Sequence, residues 1–161
     1  MVLPCYTFQL TSNNCTATTA SNANNNKDYY IDWSQIPQGK YSVSWTLNAS
    51  NNTFSAPIVT AFVHMDLGTS NSFQTKSQVY SAVRTHCIGS LFVGYSTSAL
   101  NSLYADLSTN PPIYLNSRPN NNTVNVSILN NTGALWLDKA STPVAIGDYV
   151  LNLNFDLIEI Y

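Results

Sequence analysis

The sequence predicts an all-β fold: a single jelly-roll β-sandwich of about eight strands with long polar loops, and three observations carry this. Residues that suit a pleated, half-buried surface are plentiful, with ten Tyr, six Phe and three Trp beside many Val, Ile and Thr. Helix-surface residues are scarce, since Glu occurs once, at Glu159, and Lys at four positions. Finally, apolar and polar residues alternate with period two over several stretches, the pattern of a strand with one face in a core.

Taken in order, residues 6–10 and 29–33 are short strand candidates. Residues 41–48 alternate cleanly, with Tyr41, Val43, Trp45 and Leu47 on one face and Ser42, Ser44, Thr46 and Asn48 on the other. Residues 58–65 are apolar on both faces and read as a buried central strand, and 78–84 and 88–95 as two more. Leu100, Leu103, Tyr104 and Leu107 have helical spacing; with Pro111 and Pro112 close behind, a loop is favoured over a short helix. Residues 113–115 and 134–137 are short strands. In 123–129 Val124, Val126 and Ile128 share a face, and in 149–157 Tyr149, Leu151, Leu153, Phe155 and Leu157 do. Asn130-Asn131-Thr132-Gly133 reads as a tight hairpin turn, and 48–53 and 119–122 as polar loops. Residues 11–27 are rich in Asn, Thr, Ser and Ala, so they read as a surface loop or arm outside the core. Nothing divides residues 1–161 into two domains, and at this length a jelly-roll is the expected sandwich topology.

Charge narrows the function. Charged residues make up 9% of the chain and the net charge is −2, against roughly 25% charged in ordinary domains. A polar surface with so little like-charge repulsion suits permanent subunit contacts. The six basic residues are scattered as Lys27, Lys40, Lys76, Arg84, Arg118 and Lys139, which argues against a nucleic-acid partner. There is no apolar run of membrane length, so no membrane insertion is expected. Met1 to Tyr6 has neither a basic start nor a long apolar core, which points to synthesis in a cytoplasm. The cysteines are Cys5, Cys15 and Cys87. A Cys5–Cys15 bridge is open, but free buried thiols are the favoured expectation.

Chemistry-bearing constellations are thin. His64 and His86 are the two histidines; His86 adjoins Cys87, and His64 alternates with Asp66, which is a fragment of a metal site and no more. The acids Asp28, Asp32, Asp66, Asp106, Asp138, Asp148, Asp156 and Glu159 form no sequence-local pair. No catalytic, cofactor-binding or metal-ligating residue is therefore assigned, and the expectation is a protein that is not an enzyme and carries no cofactor. Asn14, Asn48, Asn51, Asn121, Asn125 and Asn130 head Asn-x-Ser/Thr sequons, a number that so Asn-rich a chain also reaches by chance.

Two stretches, Gly39-Lys40-Tyr41-Ser42-Val43-Ser44-Trp45 and Phe62-Val63-His64-Met65-Asp66-Leu67-Gly68, resemble small capsid proteins of large icosahedral double-stranded DNA viruses. So do Asn110-Pro111-Pro112-Ile113-Tyr114-Leu115-Asn116-Ser117-Arg118-Pro119 and the closing Asp148-Tyr149-Val150-Leu151-Asn152-Leu153-Asn154-Phe155. The resemblance spans about residues 28–158 and is most specific at Pro-Pro-Ile-Tyr-Leu. It implies a single jelly-roll minor capsid protein or penton subunit, resident in the virion capsid after synthesis in the host cytoplasm. Its implied partners are the major capsid protein and other capsid subunits, with homo-oligomers (a pentamer for a penton). The alternative is a glycan- or receptor-binding knob, which predicts an exposed aromatic cluster on one loop rim. An enzyme on the same scaffold predicts paired carboxylates or a His–Asp cluster in a pocket.

Overall fold

The computed structural model describes residues 3–18, 26–52, 61–67, 87–94, 101–105, 110–129 and 147–161. Among these the regular elements are ten strands and a 3-10 turn, Trp33–Gln35. In chain order the strands are β1 (Cys5–Thr11), β2 (Ala17–Thr18), β3 (Asn26–Tyr30), β4 (Gly39–Asn52), β5 (Ala61–Met65), β6 (Cys87–Gly94), β7 (Asn101–Ala105), β8 (Ile113–Leu115), β9 (Thr123–Leu129) and β10 (Tyr149–Ile160). They form a β-sandwich of two antiparallel sheets. Sheet I runs β1-β10-β4-β7, with the short β8 beside β7 on β4, and sheet II runs β6-β5-β9-β3, with the short β2 at its edge. At one margin β6 passes between the sheets: residues 87–91 pair with β5, and Phe92, Val93 and Gly94 pair with β7.

The strands with the clearest alternation build the core. In β10, Tyr149, Leu151, Leu153, Phe155 and Leu157 are buried; in β4, Tyr41, Val43, Trp45 and Leu47 are; in β9, Val124, Val126 and Ile128. The register places Phe155 opposite Val43 and Tyr6, and Leu151 opposite Leu47 and Leu10, so like faces meet across sheet I. Phe155 lies at the centre of an aromatic group, with ring centroids 5.5 Å from Phe8, 5.3 Å from Trp33 and 5.8 Å from Tyr41. Two polar ties cross between the sheets. The Tyr29 and Tyr149 hydroxyls share a hydrogen bond of 2.7 Å, and Trp45 Nε1 donates to Ile88 O at 3.0 Å.

Burial pushes the Tyr29 phenol up to about 12 from the usual 10 and raises that of Tyr149 as well. In the unfolded chain both ionise near 10. The stability they contribute is therefore fully present below pH 10 and is lost as the pH rises through about 12. In an alkaline titration followed by phenolate absorbance and circular dichroism, this pair should ionise only as the fold is lost. Ionisation of both near pH 10 with the fold intact would contradict their burial.

Several elements differ from the sequence expectation. The stretch 29–33 is not one strand: β3 ends at Tyr30, and Asp32 caps the turn that holds Trp33, its Oδ1 accepting from Ser34 N at 3.0 Å. The expected loop at 48–53 is strand through Asn52. Leu103 and Tyr104 lie in strand β7 rather than in a loop or helix, because pairing with β4 and β6 on both sides outweighs a local apolar spacing. The polar stretch 11–27 is tied in at both ends. Thr11 closes β1, Ser12 is buried, and Asn26 and Lys27 are buried residues of β3. The expected strands 78–84 and 134–137 and the 130–133 turn lie outside the described residues. Cys5 and Cys15 are not joined in a disulfide; Cys5 is exposed and Cys15 half-buried, so the expectation that both are buried thiols fails.

A bulge sets the course of β6. The pairing with β5 skips Ile88 between Cys87 and Gly89, and Gly89 has φ +156°. Asn110 clamps the next residue, its Oδ1 accepting from Ser90 N at 2.9 Å and its Nδ2 donating to Ser90 O at 3.0 Å.

Candidate functional site

The two ends of the sandwich differ in chemistry. At one end β3 and β8 finish, β1, β4 and β9 start, and β10 terminates. All six of the exposed large hydrophobics among the described residues lie there: Leu3, Tyr30, Tyr114, Ile158, Ile160 and Tyr161. Tyr114, Tyr161 and Ile160 are the most exposed of those near β8 and β10, at 67%, 66% and 60%. Lys40 and Glu159 lie among these residues and form an ion pair of 2.5 Å that raises the Lys40 ammonium pKa, with Lys40 Nζ 5.9 Å from the Tyr161 ring centroid.

This end is held firm by the two connections that cross it. Trp33 Nε1 donates to Asn121 O at 2.9 Å, Ile31 N to Asn122 O at 2.8 Å, and Arg118 Nη1 to Ile36 O at 2.7 Å. Tyr161 OH donates to Asn116 O at 2.6 Å, which fixes the last residue of the chain against the segment after β8. Asp32 accepts from both the Ser34 hydroxyl and the Gln35 amide, and these bonds hold its carboxyl below the usual range. The exposed apolar side chains thus project from a pre-ordered surface, which lowers the ordering cost of a contact.

At the opposite end, Thr11, Ser12, Asn13, Asn48, Asp148 and Asn152 line a polar cleft of about 590 Å³. Ser12 Oγ donates to Asp148 Oδ1 at 3.0 Å and accepts from Tyr149 N at 3.2 Å. The tyrosine in this cleft, Tyr149, is 2% exposed and turned into the core, so its ring offers no face for a sugar to stack on.

No family model and no curated protein matches the chain. The sequence candidates fall as follows. His64 is buried on β5 opposite Ser127 and Cys87, and Asp66 is the first residue after that strand. His86 lies outside the described residues. Among the described residues no three His, Cys, Asp or Glu side chains converge on a point. Of the sequons, Asn125 is engaged: its Nδ2 donates to Asn26 Oδ1 at 2.6 Å and to Asp28 Oδ1 at 2.7 Å, whereas Asn14, Asn48 and Asn121 are exposed.

Sequence reasoning assigned no role to the apolar end, although one signal was present. Along β10 the alternation stops after Leu157, where a register shift sets Glu159 opposite Lys40 and Ile160 opposite Gly39, and Ile158 and Ile160 are both exposed where the strand has passed the core. Two isoleucines left exposed beyond the core mark a contact, because solvent gives no reason for them.

Proposed function

We propose that this chain is a non-enzymatic structural subunit of a virion shell, a minor capsid or penton protein that assembles through its apolar end. The observation that carries the reading is the gathering of the exposed large hydrophobics on one hydrogen-bonded end of the sandwich. Exposed apolar and aromatic side chains gathered on one end mark a subunit interface.

The strand order supports the same reading. With the short β2 and β8 set aside, the remaining eight strands, numbered in sequence, give 1-8-3-6 in sheet I and 2-7-4-5 in sheet II. Among the described strands that order is the one expected of two interleaved Greek keys, which supports a jelly-roll reading, the architecture on which capsid subunits are commonly built. The sparse charge adds to it, since copies packed side by side meet little repulsion.

In this reading the patch seats against a neighbouring copy to close a ring, and the ring docks on the major capsid protein. Burying an Ile contributes about 1.5–3 kcal/mol. The double substitution Ile158→Asp with Ile160→Asp should therefore weaken self-association by at least about tenfold while leaving the thermal transition of the subunit nearly unchanged. Sedimentation velocity over a concentration series tests this. Equal association of wild type and variant would remove the patch as the contact, and a wild type that stays monomeric throughout would overturn the proposal.

A further inference from the structure

Strand β3 turns Lys27 onto the core face at the polar end, where it is 6% exposed. Its Nζ meets Cys15 Sγ at 3.5 Å. Among the described residues no carboxylate lies within ion-pair distance of it; the ion pair there is Lys40–Glu159. The neighbouring Asp28 faces the other way and accepts from Asn125. An ammonium so deeply buried normally has a carboxylate partner, and this one has been given a sulfur, a weak acceptor.

Cys15 is held in place on both sides. Asn14 N donates to Thr11 O at 2.9 Å, and Thr16 N and Oγ1 donate to Asp28 O at 2.7 and 3.0 Å, so the turn after β1 is fastened to β3. The thiol is half-buried, which leaves a path for a small oxidant.

We propose that Cys15 and Lys27 form a reversible, peroxide-dependent covalent bridge, a sulfenamide between Sγ and Nζ that staples the turn after β1 to β3. In the first step hydrogen peroxide oxidises the thiol: the O–O bond breaks, an S–O bond forms, and the products are the Cys15 sulfenic acid and water. In the second step Nζ attacks the sulfur. The S–N bond forms as the S–O bond breaks, one ammonium proton goes to the departing hydroxyl to make water, and another goes to solvent. No further oxidant is needed. A dithiol reverses it: one thiolate attacks the sulfur and releases the amine, and the second then displaces Cys15 from the mixed disulfide.

The test uses the full chain treated with hydrogen peroxide and then digested with trypsin. We expect loss of cleavage after Lys27, a peptide of residues 1–40 that carries the bridge as an internal loop and is lighter than its sequence mass by two hydrogens, and recovery of the separate 1–27 and 28–40 peptides with dithiothreitol. The thermal midpoint of the oxidised chain should rise. A Cys5→Ser, Cys87→Ser background excludes a disulfide as the source of the mass loss, and Cys15→Ser and Lys27→Met should each abolish the bridge. If either variant fails to fold, the peptide map of the wild-type chain decides alone. Cys15 carrying only added oxygen, with trypsin still cutting after Lys27, would overturn the proposal.

Discussion

Phe155→Ala is expected to leave the subunit marginally folded, with a loss of about 3–5 kcal/mol from a total that is typically only about 5–15 kcal/mol. Phe155 is fully buried, and its ring makes edge-on or tilted contacts with Phe8, Trp33 and Tyr41, drawn from β1, the turn after β3, and β4. Removing it opens a cavity where three elements meet, and none can close the gap without breaking a backbone ladder. The adjacent Asn154 faces outward, where its Oδ1 accepts from Thr7 Oγ1 at 2.8 Å in an exposed bond. Asn154→Ser should stay within about 0.5 kcal/mol of wild type. Urea unfolding of the two variants decides the register. Equal damage from both would mean that β10 presents the opposite face to the core.

Gly89→Ala should be nearly as damaging, although it adds a single methyl group. The φ of +156° is one that side-chain-bearing residues rarely adopt, and a Cβ there would overlap the Asn110 amide and the Trp45 ring. Backbone strain of this kind costs about 1–3 kcal/mol, and overpacking a rigid site costs roughly another 1–3 kcal/mol. Both neighbours are committed: Asn110 clamps Ser90, and Trp45 holds Ile88 O. The methyl would thus loosen the point at which β6 passes from one sheet to the other. The expected readout is a lower thermal midpoint with loss of the hydrogen-exchange protection of Ser90 N. An unchanged midpoint would mean that the clamp is not rigid.

The long strands were legible in the sequence because each buries one face, and period two then fixes both element and register. Residues 149–157 and 123–129 fall within or coincide with β10 and β9. Where the sequence does not alternate the signal fades. Leu103 and Tyr104 are adjacent residues in a strand hydrogen-bonded on both sides, and their sequence spacing fits a helix equally well. The stretch 11–27 looked like solvent-facing chain because it is polar, yet polar atoms are buried when they have partners. Ser12 has Asp148 and the Tyr149 amide, and Asn26 has Asn125 and Ser127. Such pairings join residues 99 to 137 positions apart and leave no local pattern. The apolar end was hidden in the same way, because Leu3, Tyr30, Tyr114 and Ile160 come from four separate segments that only the fold brings to one end.

Hydrogen–deuterium exchange compared between dilute and concentrated protein, with native mass spectrometry counting the copies, tests the assembly reading most directly. It should find a closed homo-oligomer in which Tyr30, residues 114–118 and residues 157–161 gain protection on association, while Ser12 to Cys15 and Asp148 at the polar end do not. A monomer at every concentration, or an oligomer whose added protection falls on the polar cleft, would contradict it.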